Sequence, residues 1–414
     1  MNIVYIEHYA GSPEMGMEFR PYYLSKEWIK MGHKVEIIAA DYSHLRLKNP
    51  LIHKDFEKEM IDGISYRWIH TSKYEGNGVK RAVTMAQFTG KLYKNAKSIA
   101  LKFKPDVIIT SSTYPLDTYV GQRIKKYRPS AKLIHEIHDM WPAVLTEVNS
   151  MSKWNPFVIA MQVAENSFCK NSDYVVSLPP CSREYLIRHG MKSEKFLAVA
   201  NGVNVEDWEN TETLDENTLS VLNRLKEENK FIICFFGSIT NYYALPELIK
   251  AVQKLDNPNI AVVLIGEGVY KEYLMRLASK KEASNILFLN KIPKKQIPEM
   301  LKHIDALYVG GTENTVFKYG ICMNKLFDSM MSGKPVIYAV DAPNNYIEEY
   351  RCGISVRAGD VDDLARGIDD LYKMTDEEKK VLGDNGHQAV LNNFTYTKLA
   401  RKFTSLFPKN HADK

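Results

Sequence analysis

The sequence has few cysteines and no long apolar run. Its five cysteines lie far apart, no CxxC pair occurs, and no group of Cys and His has the spacing of a zinc site. We therefore expect buried free thiols in a reducing cytoplasm. No run approaches the roughly 18 apolar residues that a membrane-spanning helix needs, and the N-terminus turns polar too soon for a signal peptide. The sequence thus predicts a cytoplasmic protein.

A GxGxxG motif, internal repeats and low-complexity tracts are also absent, so a dinucleotide-binding site is disfavoured. The length of 414 residues favours two domains. The net charge of +5 is uneven, because residues 1–200 carry +8 and the remainder carries −3. We expect the first half to face an anionic surface, or a different partner from the second half.

Apolar strands alternate with helices along the chain. The predicted strands are 2–6, 34–40, 106–110, 132–137, 174–178, 196–200, 231–236, 261–265, 286–289, 306–309 and 336–340. The predicted helices include 19–31, 79–103, 245–255, 270–280, 296–303, 325–331 and 361–373. This βα order requires parallel strands. It predicts an α/β fold with two Rossmann-like, doubly wound domains that face a central cleft.

The stretch 318–340 contains the most informative helix. Its apolar positions recur with helical spacing and predict a helix near 324–331 with one buried face. Gly333 is suited to end this helix. Lys325 and Asp328 lie near the helix start, off the apolar stripe. They suit an anionic, hydroxyl-bearing ligand, with Lys325 on a phosphate and Asp328 on a sugar diol. The alternative is a solvated surface lysine and aspartate.

Small and polar residues follow several strands at their carboxyl ends, where parallel sheets bind ligands. Gly16 lies in the loop 9–16 after the first strand, and Gly237 and Ser238 follow the strand 231–236. Glycine permits close approach to a phosphate. The pair Lys291 and Ile292 follows 286–289 and could wall off a flat base. The alternative for Gly237 and Ser238 is a plain βα turn.

The segment 135–142, HEIHDMWP, combines imidazoles and carboxylates. Strand alternation places Glu136 and His138 on one face, and Asp139 begins the next loop. Such groups can bind sugar hydroxyls or transfer protons. His135 and His138 face opposite ways, which disfavours a metal site. The alternative is a buried polar pair that closes the strand.

Two further patterns bear on partners. The helix 79–103 carries six Lys or Arg and no acid, which suits peripheral contact with an anionic membrane. The alternative is an ordinary solvated helix face. The pair Asp360 and Asp362 matches an Asp-x-Asp metal motif, but it opens a helix, so we expect Asp360 to be an N-cap.

These segments together resemble glycosyltransferase family 4, the retaining, metal-independent enzymes of the GT-B fold. The resemblance spans nearly the whole chain. Met15-Gly16-Met17 looks like the family's glycine loop, and Asn201-Gly202-Val203 is similar to its P-N-G-V-D segment. The segments 138–142 and 324–335 resemble those of the bacterial polysaccharide branch that includes the fucosamine transferases. The closing NNFTYTKLARKF is similar to the family's C-terminal helix.

Ala200 and Asn204 replace the Pro and the Asp of the P-N-G-V-D segment, and the sequence departs from the family at two further places. The E-x7-E motif would fall at Gly320 and Asp328, so only the ribose-binding acid is kept, as Asp328. The resemblance then assigns the role of the first acid to backbone amides near Tyr319 and Gly320. The usual Arg and Lys after the first strand of the second domain are absent, and Lys325, next to Asn324, is the candidate replacement.

The resemblance implies a transferase that moves a sugar from a UDP-sugar to a glycan or polyprenyl-diphosphate-linked acceptor in capsule or O-antigen synthesis. It implies no metal or other cofactor, no nucleic acid, and a place at the inner face of the membrane.

The implied domains are 1–205 for the acceptor, 206–390 for the donor, and a returning helix at 391–414. The implied donor residues are Gly16, Gly237, Ser238, Lys291, Ile292, Tyr319, Gly320, Asn324, Lys325 and Asp328. The implied catalytic residues are His138, Asp139 and Glu136. A nucleotide-sugar 2-epimerase of the same fold and a non-catalytic sugar-binding homologue stay open.

Overall fold

The structure is a computed structural model that describes residues 1–16, 19–76, 78–279 and 285–408. Met17 of the glycine loop and the predicted end of helix 270–280 lie outside these residues. The chain divides into two units. The first contains residues 1–201, 318–322 and the C-terminal segment from Tyr396. The second contains residues 202–317 and 323–395.

Strands and helices alternate along the chain as the sequence predicts. The described strands are β1 (Asn2–Ile6), β2 (Lys34–Ala40), β3 (Glu57–Ile61), β4 (Ile64–Ile69), β5 (Val107–Thr110), β6 (Lys132–Ile137), β7 (Tyr174–Ser177), β8 (Phe196–Ala198), β9 (Phe231–Phe236), β10 (Ile260–Ile265), β11 (Ile286–Leu289), β12 (Ala306–Gly310), β13 (Val336–Ala339) and β14 (Gly353–Ser355). The described helices are α1 (Phe19–Lys30), α2 (Val79–Phe103), α3 (Thr118–Tyr127), α4 (Pro156–Asn171), α5 (Arg183–Arg188), α6 (Val205–Glu209), α7 (Glu216–Glu227), α8 (Leu245–Leu255), α9 (Lys271–Ser279), α10 (Ile297–Lys302), α11 (Asn324–Met331), α12 (Tyr346–Glu349), α13 (Val361–Lys373), α14 (Asp376–Ala389) and α15 (Tyr396–Thr404).

In the first unit the described strands form one sheet in the order β3-β4-β2-β1-β5-β6-β7-β8. All neighbours are parallel except β3 and β4, which pair antiparallel. Helices α1 and α15 pack on one face of the sheet, and α2 and α3 pack on the other. Because both faces are covered, β5 is buried along its whole length and its apolar residues run without interruption.

In the second unit the described strands form a parallel sheet in the order β11-β10-β9-β12-β13-β14. Strand β9 lies near the middle and is fully buried. Helices α8 and α13 pack on one face. Since the strands run in the same direction, the loops that follow β9, β10 and β11 meet at one edge of the sheet. The prediction of two α/β domains with parallel sheets is confirmed.

Several elements and one buried segment differ from the sequence-based expectations. The β3–β4 hairpin, β14 and helices α6, α12 and α14 were not predicted. Strand β3 and helix α14 carry little apolar periodicity, whereas β4, in which Ile64, Tyr66 and Trp68 alternate with polar residues, has a strand pattern that was overlooked. Strand β3 is an exposed, charged edge strand. The segment 211–229 is polar and acidic, a composition that predicts a linker and a surface helix without an obvious core, but helix α7 within it buries Leu222 and Leu225.

The cysteines also differ in part from the expectation. All five are free, as predicted. Cys169, Cys234 and Cys352 are buried, but Cys181 is exposed. Cys322 is partly buried. The expectation of buried thiols is therefore wrong at Cys181, which lies in the short Pro-Cys-Ser connection before α5.

The C-terminal helix α15 completes the core of the first unit. Trp28 of α1 is fully buried, and its Nε1 donates a hydrogen bond to the carbonyl of Ala400 at 3.3 Å. Its ring lies 5.2 Å from that of Phe403 and 5.6 Å from that of Phe407. Residues at the two ends of the chain thus share one aromatic cluster.

Candidate functional site

Helix α11 presents a lysine to the end of β9. The Nζ of Lys325 lies 3.2 Å from the ring centroid of Tyr243 and 4.1 Å from that of Phe235. This nitrogen is buried, and it has no hydrogen-bond partner among the described residues. Burial lowers the pKa of the amine well below its usual value. The alternative of a solvated surface lysine is therefore wrong.

Gly237 makes room for this amine. It follows β9 with a φ of 123°, and a Cβ at this position would lie 3.2 Å from the Nζ of Lys325. Gly266, which follows β10, packs directly against the same loop, since a Cβ there would lie 1.9 Å from the carbonyl oxygen of Gly237. The two glycines therefore allow both loops and the lysine to occupy one small space.

A pocket of about 220 Å³ adjoins this space. It is lined by Phe236, Gly237, Ser238, Ile265, Gly266, Glu267, Lys291, Ile292 and Ile297. Four of these residues are sequence-predicted donor residues: Gly237, Ser238, Lys291 and Ile292. Ser238 and Lys291 are exposed. The second unit thus brings these four together at the carboxyl ends of its strands.

Asp328 lies one turn after Lys325 on α11. Burial raises the pKa of its carboxyl to about 6, while the charge of Lys294 acts to lower it and that of Asp207 to raise it. The Nζ of Lys294 lies 3.4 Å from Oδ2 of Asp207. Sequence reasoning missed Lys294 and Asp207. The run of basic residues after β11 could have indicated Lys294 as a site residue. No feature of the sequence around Asp207 indicated that it lies near Asp328. Asn324, at the start of α11, is exposed.

In the first unit, Glu136 is fully buried at the end of β6. Its Oε2 accepts hydrogen bonds from the hydroxyls of Tyr5 and Ser111, both at 2.6 Å. Its Oε1 accepts one from Nε of Arg20 at 3.0 Å. Burial acts to raise the pKa of Glu136, but the charge of Arg20 and the hydrogen bonds of His138 and Ser111 hold it well below its usual range.

Arg20 connects the carboxylate of Glu136 to the segment that follows β8. Its Nη1 donates to the carbonyl of Ala200 at 2.5 Å, and its Nη2 donates to the carbonyl of Val199 at 3.0 Å. Sequence reasoning missed Arg20, Tyr5 and Ser111 as partners of Glu136. The available signal for Arg20 was its place in the first turn of α1, a helix whose other residues are largely apolar.

His138 is held by the same network and is partly exposed. Its Nε2 lies 2.7 Å from Oγ of Ser111 and 3.4 Å from Oε2 of Glu136. Because Ser111 donates its proton to Glu136, Nε2 of His138 carries a hydrogen and donates to Ser111. Asp139 is exposed in the following loop. Among the imidazoles and carboxylates of this segment, His138 and Asp139 are thus the two with exposed surface for a ligand.

His135 has different surroundings. Its Nδ1 lies 2.8 Å from Oγ1 of Thr110, and its ring stacks on Phe168 at 3.9 Å. Burial lowers its pKa to about 3, so this imidazole is neutral. His135 and His138 therefore do not act as a pair.

The other predicted donor residues lie in the first unit. A Cβ at Gly16 would lie 2.8 Å from Cγ of Leu47, so that side chain occupies the space that the glycine leaves. The backbone oxygen of Tyr319 accepts a hydrogen bond from the amide of Cys181 at 2.9 Å, and its ring lies 4.9 Å from that of Tyr185. Gly320 has a φ of 86°, a backbone conformation that favours glycine.

The Asp-x-Asp motif is a helix cap, as predicted. Oδ1 of Asp360 accepts hydrogen bonds from the backbone amides of Asp362 and Asp363 at the start of α13. Within the described parts of the chain, no group of three or more His, Cys, Asp or Glu is placed to hold a metal ion. The same residues include no helix long and apolar enough to cross a membrane.

Comparisons with known proteins match both units. Residues 15–207 match the family model Glycosyltransferase Family 4, and residues 222–389 match the family model Glycosyl transferases group 1. No curated protein matches the chain.

Solved structures share the fold at low sequence identity. HepE of Anabaena, in complex with UDP and glucose, is 15% identical with a TM-score of 0.66, and the match covers 98% of both chains. A glycosyltransferase of Rickettsia africae is 15% identical with a TM-score of 0.68 over 98% of this chain and 97% of that one. The sucrose-phosphate synthase of Thermosynechococcus elongatus is 17% identical with a TM-score of 0.71 over the same shares. The chain is therefore a glycosyltransferase of the GT-B fold, with a Glycosyltransferase Family 4 domain followed by a Glycosyl transferases group 1 domain.

Proposed function

We propose that the chain transfers a sugar from a UDP-sugar to an acceptor hydroxyl, with retention at the anomeric carbon and without a metal. The observation that carries the proposal is the amine of Lys325, which is buried beside Gly237 without a hydrogen-bond partner among the described residues. A buried amine of this kind suits an anionic group that completes its hydrogen bonds. A diphosphate is such a group.

In this proposal, α11 and the loops of the same unit bind the donor. Lys325, Gly237 and Ser238 contact the diphosphate, Asp328 binds the ribose hydroxyls, and Lys291 and Ile292 flank the base. Asn324 adds a polar group at the helix start. The roles of Gly16, Tyr319 and Gly320 stay predictions from the family resemblance. HepE of Anabaena, which shares the fold, has been solved with UDP and with UDP-glucose, and this supports the choice of nucleotide.

The proposed chemistry is a displacement on one face of the sugar. The acceptor oxygen bonds to the anomeric carbon as the bond from that carbon to the diphosphate oxygen breaks. The acceptor proton passes to the departing diphosphate, and the products are the glycoside and UDP. The protein then acts by positioning both substrates and by stabilising the charge that develops on the diphosphate, for which Lys325 is placed.

The acceptor side is proposed to involve His138 and Asp139. Both are exposed at least in part, and His138 is oriented by Ser111. Glu136 was predicted to be catalytic, but its oxygens are occupied by Tyr5, Arg20 and Ser111. We therefore assign Glu136 the positioning of His138 rather than contact with substrate.

The acceptor is proposed to be a glycan or a polyprenyl-diphosphate-linked sugar in capsule or O-antigen synthesis, as in the fucosamine transferase branch. The basic helix α2 would then contact the anionic inner face of the membrane. We also propose domains at 1–205 and 206–390, with 391–414 as the returning segment.

Binding and turnover test the donor assignment. We expect UDP to raise the melting temperature, since a ligand of the native state stabilises it, and Lys325→Met to weaken UDP binding by about tenfold or more. Lys254→Met is the control, because this exposed lysine pairs with Asp362 on a different surface. Unchanged UDP affinity in Lys325→Met contradicts the assignment.

Product analysis tests the reaction. NMR of a UDP-sugar with the protein and membrane-extracted acceptor should show UDP release and a glycoside of retained configuration, in the presence of EDTA. Interconversion of the nucleotide sugar without acceptor would instead identify a 2-epimerase. Binding without any turnover would identify a sugar-binding homologue.

A further inference from the structure

One surface of the first unit exposes large apolar side chains next to one another in the sequence. Trp154 is 87% exposed, and it precedes α4, on which Ile159 is 43% and Val163 55% exposed. Asn155 caps α4 by accepting a hydrogen bond from the amide of Phe157 at 2.9 Å. The cap fixes where the helix begins, so the tryptophan is presented by an ordered segment.

Helix α4 is apolar on its outer face as well as its inner one. Its inner residues Val158, Met161 and Phe168 are buried in the core. Its outer stripe is Pro156, Ile159, Ala160 and Val163, all exposed at helical spacing. The segment 154–164, WNPFVIAMQVA, has no charged residue. A surface helix ordinarily carries polar residues on its outer face, so this face is suited to a partner.

The neighbouring helices supply positive charge. Nε2 of Gln122 on α3 donates to Oγ of Ser167 on α4 at 2.9 Å, and the guanidinium of Arg123 lies 4.0 Å from the ring centroid of Tyr93 on α2. The three helices therefore adjoin. The exposed lysines of α2, α3 and α4 are Lys80, Lys94, Lys97, Lys102, Lys126 and Lys170, and the exposed Lys153 lies beside Trp154.

These three helices carry almost no negative charge. Helices α2 and α3 contain no acidic residue, and the only one on α4 is Glu165, which is fully buried. An apolar stripe with a tryptophan at its edge, flanked by lysines without carboxylates, matches the chemistry of an anionic lipid interface. A second copy docked through the same face would place these lysines against the same lysines, which like-charge repulsion disfavours.

We propose that α4, with Trp154 at its start, inserts its outer stripe into the headgroup region of an anionic membrane. This rests on the lipid-linked acceptor of the proposed function and extends the membrane contact from α2 to α4. In this arrangement Trp154, Ile159 and Val163 bury apolar surface in lipid, while the lysines of α2 and α3 contact the headgroups.

Trp154 supplies its own probe. Two of the other four tryptophans, Trp28 and Trp68, are at most 1% exposed, and Trp141 and Trp208 are partly buried. Full-length protein is mixed with two kinds of vesicle, one of phosphatidylcholine alone and one that also contains phosphatidylglycerol. Both kinds carry brominated acyl chains. We expect a blue shift and bromine quenching of the fluorescence with phosphatidylglycerol only. Both signals should disappear in Trp154→Phe, which keeps most of the binding.

The double variant Ile159→Asp with Val163→Asp should bind these vesicles at least about tenfold more weakly, since two apolar contacts are lost. The matched control is Val269→Asp with Val381→Asp, two exposed valines of the second unit, at 96% and 50% exposure. Because all four side chains are exposed, circular dichroism and melting temperature should stay unchanged in both variants.

Three outcomes would overturn the proposal. In the first, the protein binds vesicles, but bromine does not quench Trp154 and the α4 variant binds as well as the wild type. This result would exclude α4 and leave α2 as the membrane contact. Absence of vesicle binding in a protein that still binds UDP would exclude membrane contact and leave the donor site intact. A concentration-dependent dimer that the α4 variant abolishes, with no lipid binding, would identify α4 as an interface between copies.

Discussion

At the scale of single residues, Lys325 is the most unusual group of the second unit. Burying an amine without a hydrogen-bond acceptor destabilises the folded state. The faces of Tyr243 and Phe235 offset part of that cost, because the ring electrons attract a cation. A bound diphosphate would offset more, because its oxygens can accept hydrogen bonds from the ammonium. Lys325 therefore destabilises the protein when the site is empty and favours binding of the donor diphosphate.

UDP binding should depend on pH through Lys325. Burial holds the pKa of this amine well below its usual value, and an adjacent diphosphate would raise it. At a pH between the pKa of Lys325 in the free protein and its pKa in the UDP complex, UDP binding is accompanied by uptake of a proton. In this range the affinity for UDP falls by up to about tenfold per pH unit as pH rises. Calorimetry in buffers of different ionisation enthalpy measures the uptake. Lys325→Met should abolish it and Lys291→Met should keep it; equal uptake in both would contradict this role.

Asp328 should make the protein less stable above pH 6 than it is near pH 4. Burial raises the pKa of its carboxyl to about 6 from the usual 3.8, so its contribution to stability is complete below about pH 4 and is lost as pH rises through 6. Asp328→Asn should therefore raise the free energy of unfolding at pH 8 by at most about 3 kcal/mol and leave it unchanged near pH 4.

Urea denaturation at the two pH values measures this difference. The same variant should lose UDP affinity and sugar transfer, because a carboxylate offers one accepting oxygen to each ribose hydroxyl, whereas an amide has a single accepting oxygen and no negative charge. A stabilised variant with normal transfer would contradict the ribose assignment and leave the pH effect intact.

At the scale of elements, the loops after β9 and β10 are in direct contact. Gly266→Ala should destabilise the protein by about 2 kcal/mol or more, because its Cβ would overlap the carbonyl of Gly237 and its φ of 155° disfavours a side chain. UDP binding should weaken as well, since Gly237 would move. Gly90→Ala, in α2 with open space around it, should instead stabilise by about 0.5–1 kcal/mol. Thermal unfolding and UDP titration distinguish the two variants.

The network around Glu136 joins β1, α1, β5 and β6. Arg20→Met should destabilise by about 3–5 kcal/mol, because it leaves a buried carboxylate without its cation. Adding Glu136→Gln should recover part of the loss, since it removes the uncompensated charge. Denaturant unfolding of the single and double variants measures the coupling. Additive losses would show that the ion pair is not coupled.

At the scale of the whole molecule, the chain returns to its first unit at Tyr396. Phe403→Ala should destabilise that unit by about 3–5 kcal/mol, because it empties part of the cluster around Trp28. Arg401→Ala, on the exposed side of the same helix, should change stability by less than about 0.5 kcal/mol. Hydrogen exchange should increase in α1 and α15 of the Phe403 variant and not in α8.

The sequence predicted the elements that have a strong local period. Helices α2, α8, α11 and α13 begin and end where they were expected, because apolar spacing, caps and a terminal glycine mark them. Strand β3 was missed, since its charged residues carry no such pattern. In the candidate site, Lys325 and Asp328 were found because they are charged residues near the start of one helix, beside its apolar stripe.

By itself, the sequence determined the order of strands and helices, the parallel sheets and the family resemblance, because these depend on residues close together in the chain. The tertiary structure decided which polar groups are buried and what they contact. Glu136 receives hydrogen bonds from Tyr5 and Arg20, more than a hundred residues earlier, and Lys325 lies over rings more than eighty residues before it. Burial and pairing depend on contacts distant in the chain, and no local pattern encodes them.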